Sequence, residues 1–158
     1  MEYRKKELDN LMRFMEEYTL FFEQLAAQEA GKREALVSNK MPQLERCLSQ
    51  QQAAVMQMGN LEKEREALLA KAGLSGKTFR EIAEGLEGEE RSACEAVFSR
   101  MEQAVQSIKF SNEKSMAIAQ DKLRILAEIL PEAKKRESYT PYGRKGPDAG
   151  RRVFESKI

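Results

Sequence analysis

The sequence has no tryptophan and no histidine, only two cysteines, and 7% aromatic residues. Without histidine, general acid–base chemistry near neutral pH loses its commonest side chain. Cys47 and Cys94 are too far apart for any metal-ligand spacing, and each sits in a helical pattern among apolar neighbours, so both are expected to be buried structural thiols. No run approaches the ~18 apolar residues of a membrane span, and residues 1–7 are too charged to open a signal peptide. Charge of one sign is missing as well: Lys and Arg number 27 against 26 Asp and Glu, so no whole-chain field argues for nucleic acid. These absences predict a non-enzymatic protein of the reduced cytoplasm, with no cofactor, no metal, no membrane insertion and no nucleic-acid partner.

What remains is the composition of helices that pack on one another, with 34% charged residues and 41% hydrophobic ones. The stretch 87–130 has no proline, and after Gly88 no glycine. Cys94, Phe98, Met101, Val105, Ile108, Asn112, Ser115, Ala119, Leu126 and Ile129 alternate four and three apart once Lys122 is included, which is the rhythm of a helix packed along one seam. Such a helix would be roughly 65 Å long and needs a partner surface. Residues 8–36 repeat the pattern at Leu8, Leu11, Met15, Tyr18, Phe22, Leu25, Glu29, Lys32 and Leu36, the seam turning polar at Glu29 and Lys32. Ser38 and Asn39 supply a stop, Pro42 fits the first turn of a following helix, and that second helix runs to about Ala72 and ends at Gly73. Its seam reads Leu44, Leu48, Gln51, Val55, Met58, Glu62, Arg65 and Leu69.

A tight turn near residue 40 makes these two helices antiparallel, with facing residues that sum to about 80 in number. Glu29 then falls opposite Gln51, and Tyr18 near Glu62, so the polar breaks of one seam meet those of the other and fix the register. Gly73 to Thr78 has the look of a phosphate-binding loop, but Lys71 stands where the first glycine would be required, and a helix precedes it where a strand is needed. Thr78 and Glu81 instead form a capping box for a short helix over 79–84, closed by Gly85. The expected fold is all-α: an antiparallel bundle of three long helices over residues 1–130, a short helix in the second connection, and a flexible basic tail over 131–158.

The tail begins at Pro131. It is rich in Lys and Arg, carries Pro141, Gly143, Gly146 and Pro147, and still holds Tyr139, Tyr142, Val153, Phe154 and Ile158, the mixture of a docking segment. If the long helix runs back along the second one, its residue 119 reaches the hairpin turn at about residue 42. Residues 120–130 then overhang, presenting Leu123, Ile125, Leu126, Ile129 and Leu130 with little of the chain to cover them. An uncovered apolar helix face marks a partner site or an oligomer contact.

Taken together, the long opening helix, the segment Glu29 to Leu36 (Glu-Ala-Gly-Lys-Arg-Glu-Ala-Leu), Leu61-Glu62 followed by Arg65, the Thr78-Phe79 short helix, a long third helix with Asn112 near its centre, and Tyr142-Gly143 beyond it resemble the FlgN family of flagellar type III export chaperones. The likeness covers most of 8–130. One departure is that Asn112 is followed here by Glu113, Lys114 and Ser115, where the family often has leucines. The resemblance implies a cytoplasmic chaperone that holds the C-terminal helical segments of the hook-filament junction proteins FlgK and FlgL, prevents premature assembly and brings them to the export gate. On this reading the client-binding residues are Leu123, Leu126, Ile129 and Leu130, and Tyr139 and Tyr142 dock on the gate. The alternative is a coiled-coil adaptor or a structural homodimer joined through the overhanging helix.

Overall fold

The structure, a computed structural model, describes residues 2–130, with side chains from Lys5 onward. Among these residues there are four helices and no strand: α1 (Glu2–Val37), α2 (Met41–Lys71), α3 (Phe79–Glu84) and α4 (Gly88–Ile129). The tail, with Tyr139 and Tyr142, lies outside the described residues.

Each boundary has a local chemical cause. Asn39 adopts φ 54° just past α1, and the Lys40 N–H donates to the Ala35 carbonyl at 3.0 Å, so a left-handed asparagine turns the chain. Pro42 lies in the first turn of α2, where no intrahelical donor is needed. At the far end Gly73 takes φ 72°, and the Leu74 and Gly73 N–H groups return to the Leu69 and Ala70 carbonyls at 2.8 and 3.2 Å, closing α2 with a Schellman motif. Thr78 caps α3 by accepting from the Glu81 N–H at 3.2 Å, as the capping pair predicts. Gly88, at φ 62°, opens α4, with Glu89 and Glu90 at its positive end.

The hairpin register is the one that the polar breaks require. Tyr18 Oη donates to Glu62 Oε2 at 2.9 Å, and Gln51 Nε2 donates to Glu29 Oε1. Arg65 Nε completes the first of these networks by donating to Glu62 Oε1 at 2.6 Å. Around Tyr18 the rings of Phe14, Phe21 and Phe22 lie at 5.5, 6.3 and 4.7 Å between centroids, forming the aromatic centre of the core.

One expectation is overturned. Matching helix lengths lays α4 along α2, but α1 is the central helix: α4 packs chiefly on α1, in the same direction, and α1 also carries α2. Arg100 accounts for part of this choice. Its guanidinium forks between Glu16 and Glu23 of α1, both at 2.6 Å. Because α1 is covered on two sides, it buries Phe14, Thr19, Phe21 and Ala35 in addition to its heptad positions. The short helix α3 lies against α4, where Arg80 stacks over Phe98 at 5.4 Å, while Arg65 of α2 reaches over Phe79 at 5.9 Å. Leu11, Met15, Tyr18, Phe22, Met58, Leu69, Phe79, Ile82, Cys94, Met101 and Ile108 form a single apolar cluster drawn from all four helices.

Candidate functional site

The parallel register of α1 and α4 decides where α4 emerges from its cover. Arg100 sits level with Glu16 and Glu23, and Arg33 stacks over Phe110 at 5.7 Å. Further on, Lys122 Nζ donates both to the Leu36 carbonyl and to Asn39 Oδ1. This lysine therefore satisfies a carbonyl that the end of α1 leaves open, and it clasps the hairpin turn to α4. The turn is reached at residue 122, close to the 119 expected from lengths alone, because α1 and α2 end at the same turn whichever of them carries α4. Residues 123–130 overhang by about two turns, or ~12 Å.

That overhang is apolar and open. Leu126 is 44% exposed, Ile125 51%, Leu130 54% and Ile129 67%. Leu123 is half-buried at the base. Leu126 and Leu130 continue, at helical spacing, the stripe that Ile108, Ser115 and Ala119 bury lower down, so the surface is core pattern without a core. Leu130 ends the helix with its N–H on the Leu126 carbonyl at 2.7 Å. The charges beside the stripe are modest: Asp121 pairs with Arg124 at 3.3 Å, and both are well exposed.

The four client-binding residues expected from the sequence are thus brought together on one helix end. Sequence reasoning missed two apolar residues next to them. Val37 and Met41 are 61% and 59% exposed, and each lies two residues from Asn39, which the Lys122 clasp holds at the foot of the overhang. The available signal was that both are apolar, flank a turn, and fall off the heptad seam.

Just below the clasp the interior changes character. Glu29, Lys32, Gln51, Ser111 and Ser115 are all buried, from α1, α2 and α4, and Glu29 and Lys32 are wholly inaccessible. Lys32 Nζ lies 2.7 Å from Glu29 Oε2. Burial pushes the Lys32 ammonium below the ordinary lysine range, and its neighbour Glu29 pulls the other way. Glu29 also accepts from Gln51 of α2, so a slip of the hairpin register would take a partner from a buried charge. The free thiols Cys47 and Cys94 are buried, as expected, and burial raises the Cys94 pKa.

A second concavity lies between α1 and α2. Phe21, Leu25 and Ala54 form its floor, and Gln24, Gln28, Gln50 and Gln57 rim it with uncharged amides. Of its apolar residues Ala53 is exposed but small and the others are buried, so a ligand there would remove little further apolar area from water. The end of α4 is the larger unspent surface. Among the described residues no group of three or more metal-ligating side chains occurs, and no helix is long and apolar enough to cross a membrane.

The described residues thus form an all-α bundle of long helices with an exposed apolar helix end. The family model described as FlgN protein matches residues 1–148, and the chain belongs to the FlgN family of flagellar export chaperones. No curated protein and no solved structure matches the chain significantly.

Proposed function

We propose that this chain is a cytoplasmic flagellar export chaperone that binds the C-terminal helical segments of the hook-filament junction proteins FlgK and FlgL on the overhanging end of α4. Held there, the client's assembly helix is occupied and cannot join the filament prematurely, and the complex is delivered to the type III export gate. The observation that supports the reading is the continuation of the α4 core stripe past the clasp, where Leu126, Ile129 and Leu130 are left exposed among the described residues. An amphipathic client helix lying along these residues would bury apolar area at about 25 cal/mol per Å². The mode of action needs no bond making or breaking.

Tyr139 and Tyr142 are proposed to dock on the gate, since tyrosine offers rigid contact area at small entropic cost. The open stripe would also fit a second copy of the chain. Two turns per protomer supply little area against the ~1,200 Å² or more of a stable interface, which favours the client over the homodimer. Site-specific photo-cross-linking tests the assignment. A benzophenone side chain at position 129 should capture a FlgK or FlgL C-terminal peptide, and one at position 56 on the exposed side of α2 should not. Capture at 56 alone moves the site away from α4, and capture of a second chaperone chain at 129 in place of the peptide favours the homodimer.

A further inference from the structure

The core of the bundle is interrupted. The large apolar cluster ends at Leu25, Ala54 and Ile108. A second, separate cluster contains only Ala35, Leu36, Leu44 and Ala119, with Leu48 and Ile118 packed against it. Between the two stands the polar layer of Glu29, Lys32, Gln51, Ser111 and Ser115. Within and beside that layer, Gln28 Oε1, Gln51 Oε1, Asn112 Oδ1 and Ser115 Oγ are buried without a hydrogen-bond partner among the described residues. None of these atoms has a protein hydrogen bond to lose, so opening the layer to water breaks none at these positions. The outer side of the small cluster is closed by the Lys122 clasp, and water can replace both of its hydrogen bonds.

A glycine stands in α1 at the same level. Gly31 lies inside α1 between Glu29 and Lys32, and a Cβ built there would meet nothing within 4 Å. Packing therefore does not require glycine, and its helical φ does not either, yet it weakens the helix at that turn. On α2 the corresponding stretch, Ser49 to Gln52, is polar at four successive positions.

We propose that the hairpin tip, residues 33–48, is a lid on a longer helix-binding surface of α4: it lifts about Gly31 and the polar layer, and the client helix takes its place along Ser115, Ile118, Ala119, Leu123, Leu126 and Leu130. This inference rests on the client reading given above. The occupant is an amphipathic helix with an apolar stripe of about four turns, because the opened stripe from 115 to 130 spans ~24 Å, where the closed one offers ~12 Å. A typical helix of three to four turns matches the opened length. Continuity carries the assignment: the residues under the lid and those beyond it form one stripe on one helix, and among the described residues the apolar cluster that holds the lid over it is small. Differential affinity for the opened state is what client binding must supply.

Hydrogen exchange of the full chain, alone and with a FlgK or FlgL C-terminal peptide, tests the lid. In the complex, amides of 33–48 should exchange faster than in the free chain while those of 115–130 slow down. Slowing at 123–130 with 33–48 unchanged or slower overturns the lid and leaves the client reading standing, whereas a peptide that does not bind at all removes both. A client-independent arm separates the cases: in the free chain, 33–48 should open through a step with weaker urea dependence than global unfolding. Exchange of 33–48 through global unfolding alone overturns the lid whatever the peptide does. Gly31→Ala should raise the melting temperature and weaken peptide binding two- to fivefold. A stabilised Gly31→Ala chain with unchanged affinity counts against the hinge, and the triple change Glu29→Leu, Lys32→Leu, Gln51→Leu should likewise slow exchange of 33–48.

Discussion

Replacing Tyr18 with phenylalanine removes one oxygen atom from the best-defined polar contact in the hairpin. Tyr18 is almost wholly buried, and its hydroxyl donates to Glu62 at 2.9 Å while its ring packs among Phe14, Phe21 and Phe22. Phenylalanine keeps that packing, so the loss is the hydrogen bond to a charged acceptor, about 1.5 to 3 kcal/mol. Glu62 retains Arg65, which places the expected cost near 2 kcal/mol. For a domain of this size that lowers the melting temperature by roughly 4 to 8 °C. The difference should also depend on pH. Burial, then the Glu62 carboxylate, raise the phenol pKa far above its ordinary value of 10. A raised folded-state pKa contributes stability that is fully present below pH 10 and is lost as pH rises above it, because the unfolded phenol ionises first. Urea melts of both proteins at pH 8 and pH 11 should therefore show a gap that narrows by up to about 1.4 kcal/mol per pH unit above pH 10. A gap under about 0.5 kcal/mol at pH 8, or one that is constant through pH 11, would refute the assigned role of the Tyr18–Glu62 pair.

Other outcomes follow from the same packing. Leu25→Ala and Met58→Ala should each cost about 2 to 5 kcal/mol in chemical denaturation, since both side chains are buried in the main cluster. Alkylation of Cys94 should follow the rate of unfolding rather than of reagent collision, because the thiol is inaccessible and its pKa is raised by burial; fast labelling of the native chain would contradict its placement. Deleting residues 136–158 should leave the melting temperature nearly unchanged, and Tyr139→Ala with Tyr142→Ala should weaken gate binding without affecting client binding. A truncation that unfolds the chain would make the tail part of the core.

Much of this fold is legible because local chemistry fixes it. Asn39, Pro42, Gly73 and Thr78 act within one turn of themselves, and the end of α1, both ends of α2 and the start of α3 fall where these residues require it. The hairpin register is also readable, since Glu29 with Gln51 and Tyr18 with Glu62 are the pairings that avoid stranded polar groups. The partner of α4 is not readable in the same way. A heptad stripe specifies that a seam exists but not which of two similar helices fills it, and the Arg100 fork to Glu16 and Glu23 joins residues far apart in the chain. The adjacent pair Phe21 and Phe22 hid the double coverage of α1, because only one of the two fits a single seam. The overhang survived the wrong partner because it depends on lengths alone. The role of Lys122 was masked for a related reason: in sequence it is a polar break in a stripe, and only the structure shows its ammonium on the carbonyl of Leu36.

The central claim is that the open end of α4 takes the client, and Leu126→Asp tests it most directly. Leu126 is a central residue of the exposed stripe, and a docked helix could draw on the order of 1 to 3 kcal/mol from it. An aspartate there would have to be buried unpaired beneath the client, while in the free chain it would stay in water. The measurement is a titration of a FlgK or FlgL C-terminal peptide against wild type and Leu126→Asp, with a thermal melt of each. Binding abolished with an unchanged melt is the predicted result; undiminished binding in Leu126→Asp would contradict the account.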